Sequence, residues 1–86
     1  MTNKEILKKQ IIYRSTHRGS KEMDILLGEF VKKHINQFDN QDLSNLMELL
    51  SFEDEILNQW YFYKKFNNLI PKNKVSKMLS DFIIPI

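Results

Sequence analysis

Apolar residues recur along this chain at intervals of three and four, and no stretch alternates with a period of two. That spacing predicts amphipathic helices and leaves no candidate strand. The first helix opens at a Thr2-x-x-Glu5 capping box and carries Ile6, Leu7, Ile11 and Ile12 on a broad apolar face. It is expected to end near His17, just ahead of Gly19. Ser20 is placed to cap the second helix, in which Met23, Leu27, Phe30, Val31 and Ile35 form a core stripe. Glu22 and Asp24 fall in its first turn, where carboxylates favour the helix dipole.

The turn Asp39-Asn40-Gln41-Asp42 supplies caps for a third helix with Leu43, Leu46, Met47 and Leu50 on one face. A fourth begins at Ser51 or Glu53 and runs through Ile56, Leu57, Trp60 and Tyr61, until Asn67-Asn68 breaks the pattern. Pro71 is placed to open a fifth, with Val75, Met78, Leu79 and Phe82 inward and Pro85 ending it. The fold class read from this pattern is all-α: a compact five-helix bundle with short connections, one domain over residues 1–86.

Composition narrows the picture. There are 86 residues and no cysteine, so helix packing must hold the fold without a disulfide or a thiolate metal site. No apolar run approaches a membrane span, and the N-terminus has neither a signal core nor an organelle presequence, which points to a cytoplasmic, bacterial protein with no membrane insertion. The net charge of +2 is unevenly spread. Residues 1–21 hold six Lys/Arg against Glu5; residues 22–55 hold nine acids against Lys32 and Lys33; residues 56–86 hold five lysines against Asp81. A dipolar surface of this kind suits a protein partner better than a nucleic acid, which favours a sustained basic face.

Most catalytic chemistry is missing. There is no glycine-rich phosphate loop, and His17 and His34 share no metal-ligand spacing. His17 adjoins no nucleophile, and a bundle this small leaves little room for a deep pocket, so an enzyme is not expected. Two features remain. One is the segment Arg18-Gly19-Ser20-Lys21-Glu22-Met23-Asp24, with Arg14 and His17 just before it. Turn chemistry accounts for Gly19, by a positive φ, and for Ser20, as a cap, but not for Arg18; structural turn and binding corner both stand. The other is the run Trp60-Tyr61-Phe62-Tyr63 with Phe66. Either Trp60 and Tyr61 are core and the other rings pack on helix ends, or Trp60, Tyr61 and Tyr63 form an exposed docking patch.

The same residues resemble a known family. Arg18, Gly19, Glu22 and Asp24 match the Arg-Gly-x-x-Glu-x-Asp pattern that the SdhE/YgfY family, small flavinylation assembly factors of succinate dehydrogenase, places between its first two helices. Ile12-Tyr13-Arg14-Ser15 is similar to the basic, aromatic end of the family's first helix, Asp54-x-x-Leu57-x-x-Trp60 to its fourth, and Phe82 to its closing helix. The chain departs from the pattern at His17, where many members are basic, at Ile56, often an acid, and at Ser20, commonly apolar.

The resemblance implies a five-helix chaperone, free as a monomer, that binds the flavoprotein subunit of succinate dehydrogenase, with fumarate reductase as a further candidate client. It would promote covalent attachment of FAD to a histidine of that subunit by holding the client in a competent conformation. FAD would belong to the client, and this chain would bind no cofactor stably. Partner binding would fall to Arg14, His17, Arg18, Gly19, Glu22 and Asp24, with Arg18 and Glu22 giving charge-assisted hydrogen bonds. Asp24 has a second reading, orienting Arg14 or Arg18 from within the turn. Two other functions remain open at this point: an antitoxin-like protein acting on a membrane-associated toxin, and a small nucleic-acid-binding protein using Lys4, Lys8, Lys9, Arg14, Arg18 and Lys21.

Overall fold

A computed structural model describes residues 2–84. Five α-helices follow one another: α1 (Asn3–Thr16), α2 (Lys21–His34), α3 (Asn40–Leu50), α4 (Asp54–Tyr61) and α5 (Lys74–Asp81). A single 3-10 turn, Ile35–Gln37, extends α2, and no strand occurs among the described residues. The helix α1 packs on both α2 and α3, and α5 lies on α3. This is the all-α bundle that the periodicity predicts.

Side-chain caps set most helix starts. Thr2 Oγ1 accepts from Glu5 N at 3.1 Å, and Ser20 Oγ accepts from Met23 N at 3.3 Å. Asp39 and Asp42 form a reciprocal capping box at α3. The α5 start differs from the sequence reading. Asn73 and Ser76 make a second reciprocal box, so the helix opens at Lys74, and Pro71 lies in the approach to it. Two satisfied backbone donors outweigh the mild preference of proline for a first helical position. The connection from α4 to α5 is therefore twelve residues, 62–73, longer than the few expected. At the other end α5 stops at Asp81, and Pro85 lies outside the described residues.

The core gathers Met23, Leu26, Leu27, Phe30 and Val31 of α2, Leu43, Leu46, Leu49 and Leu50 of α3, Leu57 and Tyr61 of α4, and Val75 and Leu79 of α5. The contribution of α1 is narrower than its sequence suggests. Ile11 and Ser15 are buried and Leu7 packs at the margin, an i, i+4, i+8 line, whereas Ile6 and Ile12 are 43% and 48% exposed. Tightly seated helices bury a narrow stripe, and buried Ser15 satisfies its hydroxyl by donating to Ile12 O at 2.9 Å. Tyr61 is core: its hydroxyl donates to the Phe82 carbonyl, and burial raises its pKa above the usual 10.0. His34 sits at the core edge among the rings of Phe30, Phe38 and Phe82, with centroids 5.0, 6.1 and 6.1 Å away.

Candidate functional site at the corner between the first two helices

The four residues between α1 and α2, His17 to Ser20, turn the chain through a corner whose three following backbone N–H groups all meet carboxylates. Arg18 N donates to Asp24 Oδ1 at 2.6 Å. Gly19 N and Ser20 N donate to Asp54 Oδ2 at 2.6 and 3.1 Å. Asp54 is the first residue of α4, so a carboxylate that also suits that helix's positive end clamps a turn more than thirty residues away.

Arg18 completes the clamp. Its Nε donates to Asp54 Oδ1 at 2.7 Å, Nη1 to Leu50 O and Nη2 to Phe52 O, each at 2.6 Å. Leu50 ends α3, so the guanidinium satisfies carbonyls that a helix terminus leaves without intrahelical partners. The planar fork of donors matches this set of three acceptors, which a lysine ammonium would not reach together. All three guanidinium nitrogens are thus committed within the fold. Expected as a direct donor to a partner, Arg18 here acts inside the corner, positioning the turn against α3 and α4.

Gly19 suits its position for a reason other than the one expected. No glycine among the described residues has a positive φ. A Cβ built at Gly19 would instead lie 3.2 Å from Asp54 Oδ2, the oxygen that accepts the Gly19 N–H, so a side chain presses on the clamp. Asp24 follows the second reading made of it, from within the turn, though its partner is the Arg18 backbone and not the guanidinium.

The remaining corner residues face outward. Arg14 and Glu22 are exposed and have no hydrogen-bond or ion-pair partner among the described residues. His17 is also exposed; its ring stacks on Tyr13 with centroids 3.9 Å apart, and its Nδ1 lies 2.8 Å from Tyr13 O. A carbonyl only accepts, so Nδ1 carries the proton in that contact and Nε2 is the nitrogen left for another group.

The aromatic run divides. Tyr61 is buried and leaves the docking patch expected of it, because α4 ends there and its ring points into the core. Phe62 and Tyr63 lie beyond the helix and line a shallow cleft with Ser20, Glu22, Asp54, Glu55 and Asn58, so Tyr63 joins Glu22 at one surface. Half-buried Trp60 lines a separate depression with Lys72, Asn73, Ser76 and Lys77. Asp54 is the residue whose importance the sequence reading missed. It was visible only as the start of the acidic-to-tryptophan segment, and nothing local pairs it with Arg18.

The fold and this corner define a small all-α module in which a cluster of polar groups fixes one turn. A family model described as flavinator of succinate dehydrogenase, Sdh5, matches residues 9–83, and the chain belongs to that family. It is 30% identical over 79 residues to the FAD assembly factor SdhE of Wigglesworthia glossinidia brevipalpis, covering 92% of this chain and 89% of that one. Against FAD assembly factor SdhE of Acetobacter pasteurianus the identity is 29% over 76 residues, 88% of this chain and 67% of the relative. Against the mitochondrial succinate dehydrogenase assembly factor 2 of Arabidopsis thaliana it is 33% over 58 residues, 67% of this chain. The chain spans 31% of the length of that plant protein and 54% of the Scheffersomyces stipitis counterpart. No solved structure matches it. Neither the antitoxin reading nor the nucleic-acid reading draws support from these relatives, and the inward commitment of Arg18 removes one cation from the basic set the latter needs. No helix among the described residues is long and apolar enough to cross a membrane.

Proposed function

We propose that this chain is an assembly factor that binds the flavoprotein subunit of succinate dehydrogenase and promotes covalent attachment of FAD to it. The observation that carries the reading is the clamped corner: Asp54 and Arg18 fix the backbone of the family's motif while Glu22 stays outside, exposed and unpaired. Rigid presentation lowers the ordering cost of docking, which is how a small surface gains affinity. Glu22 is the acceptor offered to donors of the client, and Arg14 and the Nε2 of His17 are the polar groups offered from the end of α1. Gly19 lets a client backbone approach the turn, and Tyr63 extends the contact along the cleft beside Glu22.

The bond between FAD and the flavoprotein's histidine is made within the client. This chain supplies no catalytic group; it favours the client conformation in which the reacting atoms are aligned. FAD belongs to the client, fumarate reductase flavoprotein is a second candidate client, and the free chain is a cytoplasmic monomer. Co-expression with the cognate flavoprotein subunit, followed by in-gel flavin fluorescence after denaturation, tests the reading. Covalent flavin is expected to fall sharply when the chain is omitted; equal flavin with and without it would overturn the proposal.

A further inference from the structure

On the connection between α4 and α5, Phe66 and Leu69 stand 76% and 64% exposed. They do not sit on a slack loop. Lys64 takes a left-handed conformation, φ 56°, which turns the chain off the helix, and Lys65 N reaches back to Gln59 O at 3.1 Å. Leu69 N donates to Asn67 Oδ1 at 2.8 Å, Ile70 N reaches Asn67 O at 3.3 Å, and Ile70 is buried in the core. The segment is pinned at both ends and projects Phe66 and Leu69 between the pins. Burying Ile70 while exposing its neighbour Leu69 gives the fold nothing from Leu69 itself.

The charges within this stretch of the chain are of one sign. No aspartate or glutamate occurs from residue 56 to residue 80. Lys74 and Lys77 are paired, with Asp42 and Asp81, but Lys64, Lys65 and Lys72 have no carboxylate partner among the described residues. The Lys72 ammonium lies 5.4 Å from the Phe66 ring centroid, and that of Lys64 lies 4.8 Å from the centroid of Tyr61. Apolar tips on a stretch whose only charges are cationic match the layering of an anionic bilayer surface, with rings and aliphatic groups at the acyl boundary and ammonium groups among the headgroups.

We infer that the 62–73 connection is a peripheral docking site for an anionic lipid surface, with Phe66 and Leu69 entering the interface and Lys64, Lys65 and Lys72 facing the headgroups. Single-stranded nucleic acid fits less well. Leu69 offers no stacking plane, and Lys72 already lies over the Phe66 ring that a base would need. Phe66 and Leu69 lie outside the cleft that Phe62 and Tyr63 line beside the corner, and their role does not depend on which client that corner meets.

The test is co-sedimentation of the full chain with vesicles, either of phosphatidylglycerol mixed with phosphatidylcholine or of phosphatidylcholine alone. Binding is expected to the anionic vesicles only, and to weaken with salt. Each lysine near such a surface contributes about 1 kcal/mol, so Lys64→Gln with Lys65→Gln should weaken binding by roughly 25-fold. Phe66→Ser with Leu69→Ser should release the chain while leaving its thermal melt unchanged, because both side chains are exposed. Phe66→Trp gives a second reading: its emission should shift to the blue on anionic vesicles and not on phosphatidylcholine. Absence of binding, equal binding to both vesicles, an unshifted Phe66→Trp emission, indifference to the Phe66/Leu69 substitutions, or tighter binding to a single-stranded oligonucleotide would each overturn the proposal.

Discussion

Arg18 and Asp54 meet at 2.7 Å, Nε to Oδ1, with side chains only 10% and 21% exposed, and together they tie the α1–α2 turn to the segment joining α3 to α4. The pair is more than a two-body salt bridge. Asp54 also accepts from Gly19 N and Ser20 N, and Arg18 also donates to the carbonyls of Leu50 and Phe52. Removing one partner leaves several groups without theirs, and a largely buried pair broken on one side typically costs about 3 kcal/mol or more. Arg18→Ala and Asp54→Ala should each lower unfolding free energy by about that amount, and the double variant should cost clearly less than their sum. Denaturant unfolding of the four proteins checks this; strict additivity would mean the two side chains act independently.

Asp54→Asn is the sharper probe of geometry. An amide keeps one acceptor oxygen but turns an NH2 toward either the Arg18 Nε or the Gly19 and Ser20 N–H groups, all of them donors. A loss of about 2 kcal/mol is expected from one frustrated contact. Client capture should fall as well, because the motif backbone is no longer held. Wild-type stability in Asp54→Asn would show that the carboxylate's second oxygen is dispensable.

Gly19 separates steric from conformational explanations. Its φ lies outside the left-handed region, so Gly19→Ala carries no backbone strain, and the new Cβ meets one carboxylate oxygen at 3.2 Å. A small movement of Asp54 relieves that contact, and the stability loss should stay near 1 kcal/mol. Gly19→Arg adds bulk where a client would approach, so it should abolish flavin attachment in the co-expression assay while the chain still folds. An unfolded Gly19→Ala would contradict the observed backbone.

How much of this was legible in the sequence follows from the range of each interaction. Helix order, the Ser20 and Asp39 caps and the α2 stripe are encoded within a few residues, and pattern alone finds them. Pro71 misled because the Asn73–Ser76 box, equally local, starts α5 instead. The broad apolar face of α1 was overread, since periodicity shows which residues share a face but not how wide a stripe its neighbours cover. Arg18 stood out as more than turn chemistry required, but its acceptors lie more than thirty residues along the chain. No local signal distinguishes a buried clamp from a binding arginine. The family motif falls on the α1–α2 turn, and the division of labour inside it is set by three-dimensional contacts.

Glu22 tests that division. It is exposed and unpaired, so Glu22→Gln should change stability by less than about 1 kcal/mol, the scale of a first-turn carboxylate's interaction with its helix dipole. A charge-assisted hydrogen bond to a client is worth about 1.5 kcal/mol or more, so capture of the flavoprotein should weaken roughly tenfold. A pull-down titration beside a thermal melt gives both quantities. Unchanged capture would remove Glu22 from the interface.

Tyr61 sets an alkaline limit on the fold. Burial raises its pKa above 10.0, so the folded state favours the neutral phenol, and its hydroxyl donates to the Phe82 carbonyl. A raised pKa contributes stability that is fully present below the unfolded value and is lost as pH rises past it. Unfolding free energy should therefore hold steady through neutral pH and decline above about 10. Tyr61→Phe should cost about 1–2 kcal/mol at neutral pH, because the Phe82 carbonyl loses its donor, and should also flatten the alkaline decline. Ultraviolet titration offers a direct reading, with the Tyr61 phenol ionising above its usual range. A decline equally steep in Tyr61→Phe would assign the alkaline transition to another group.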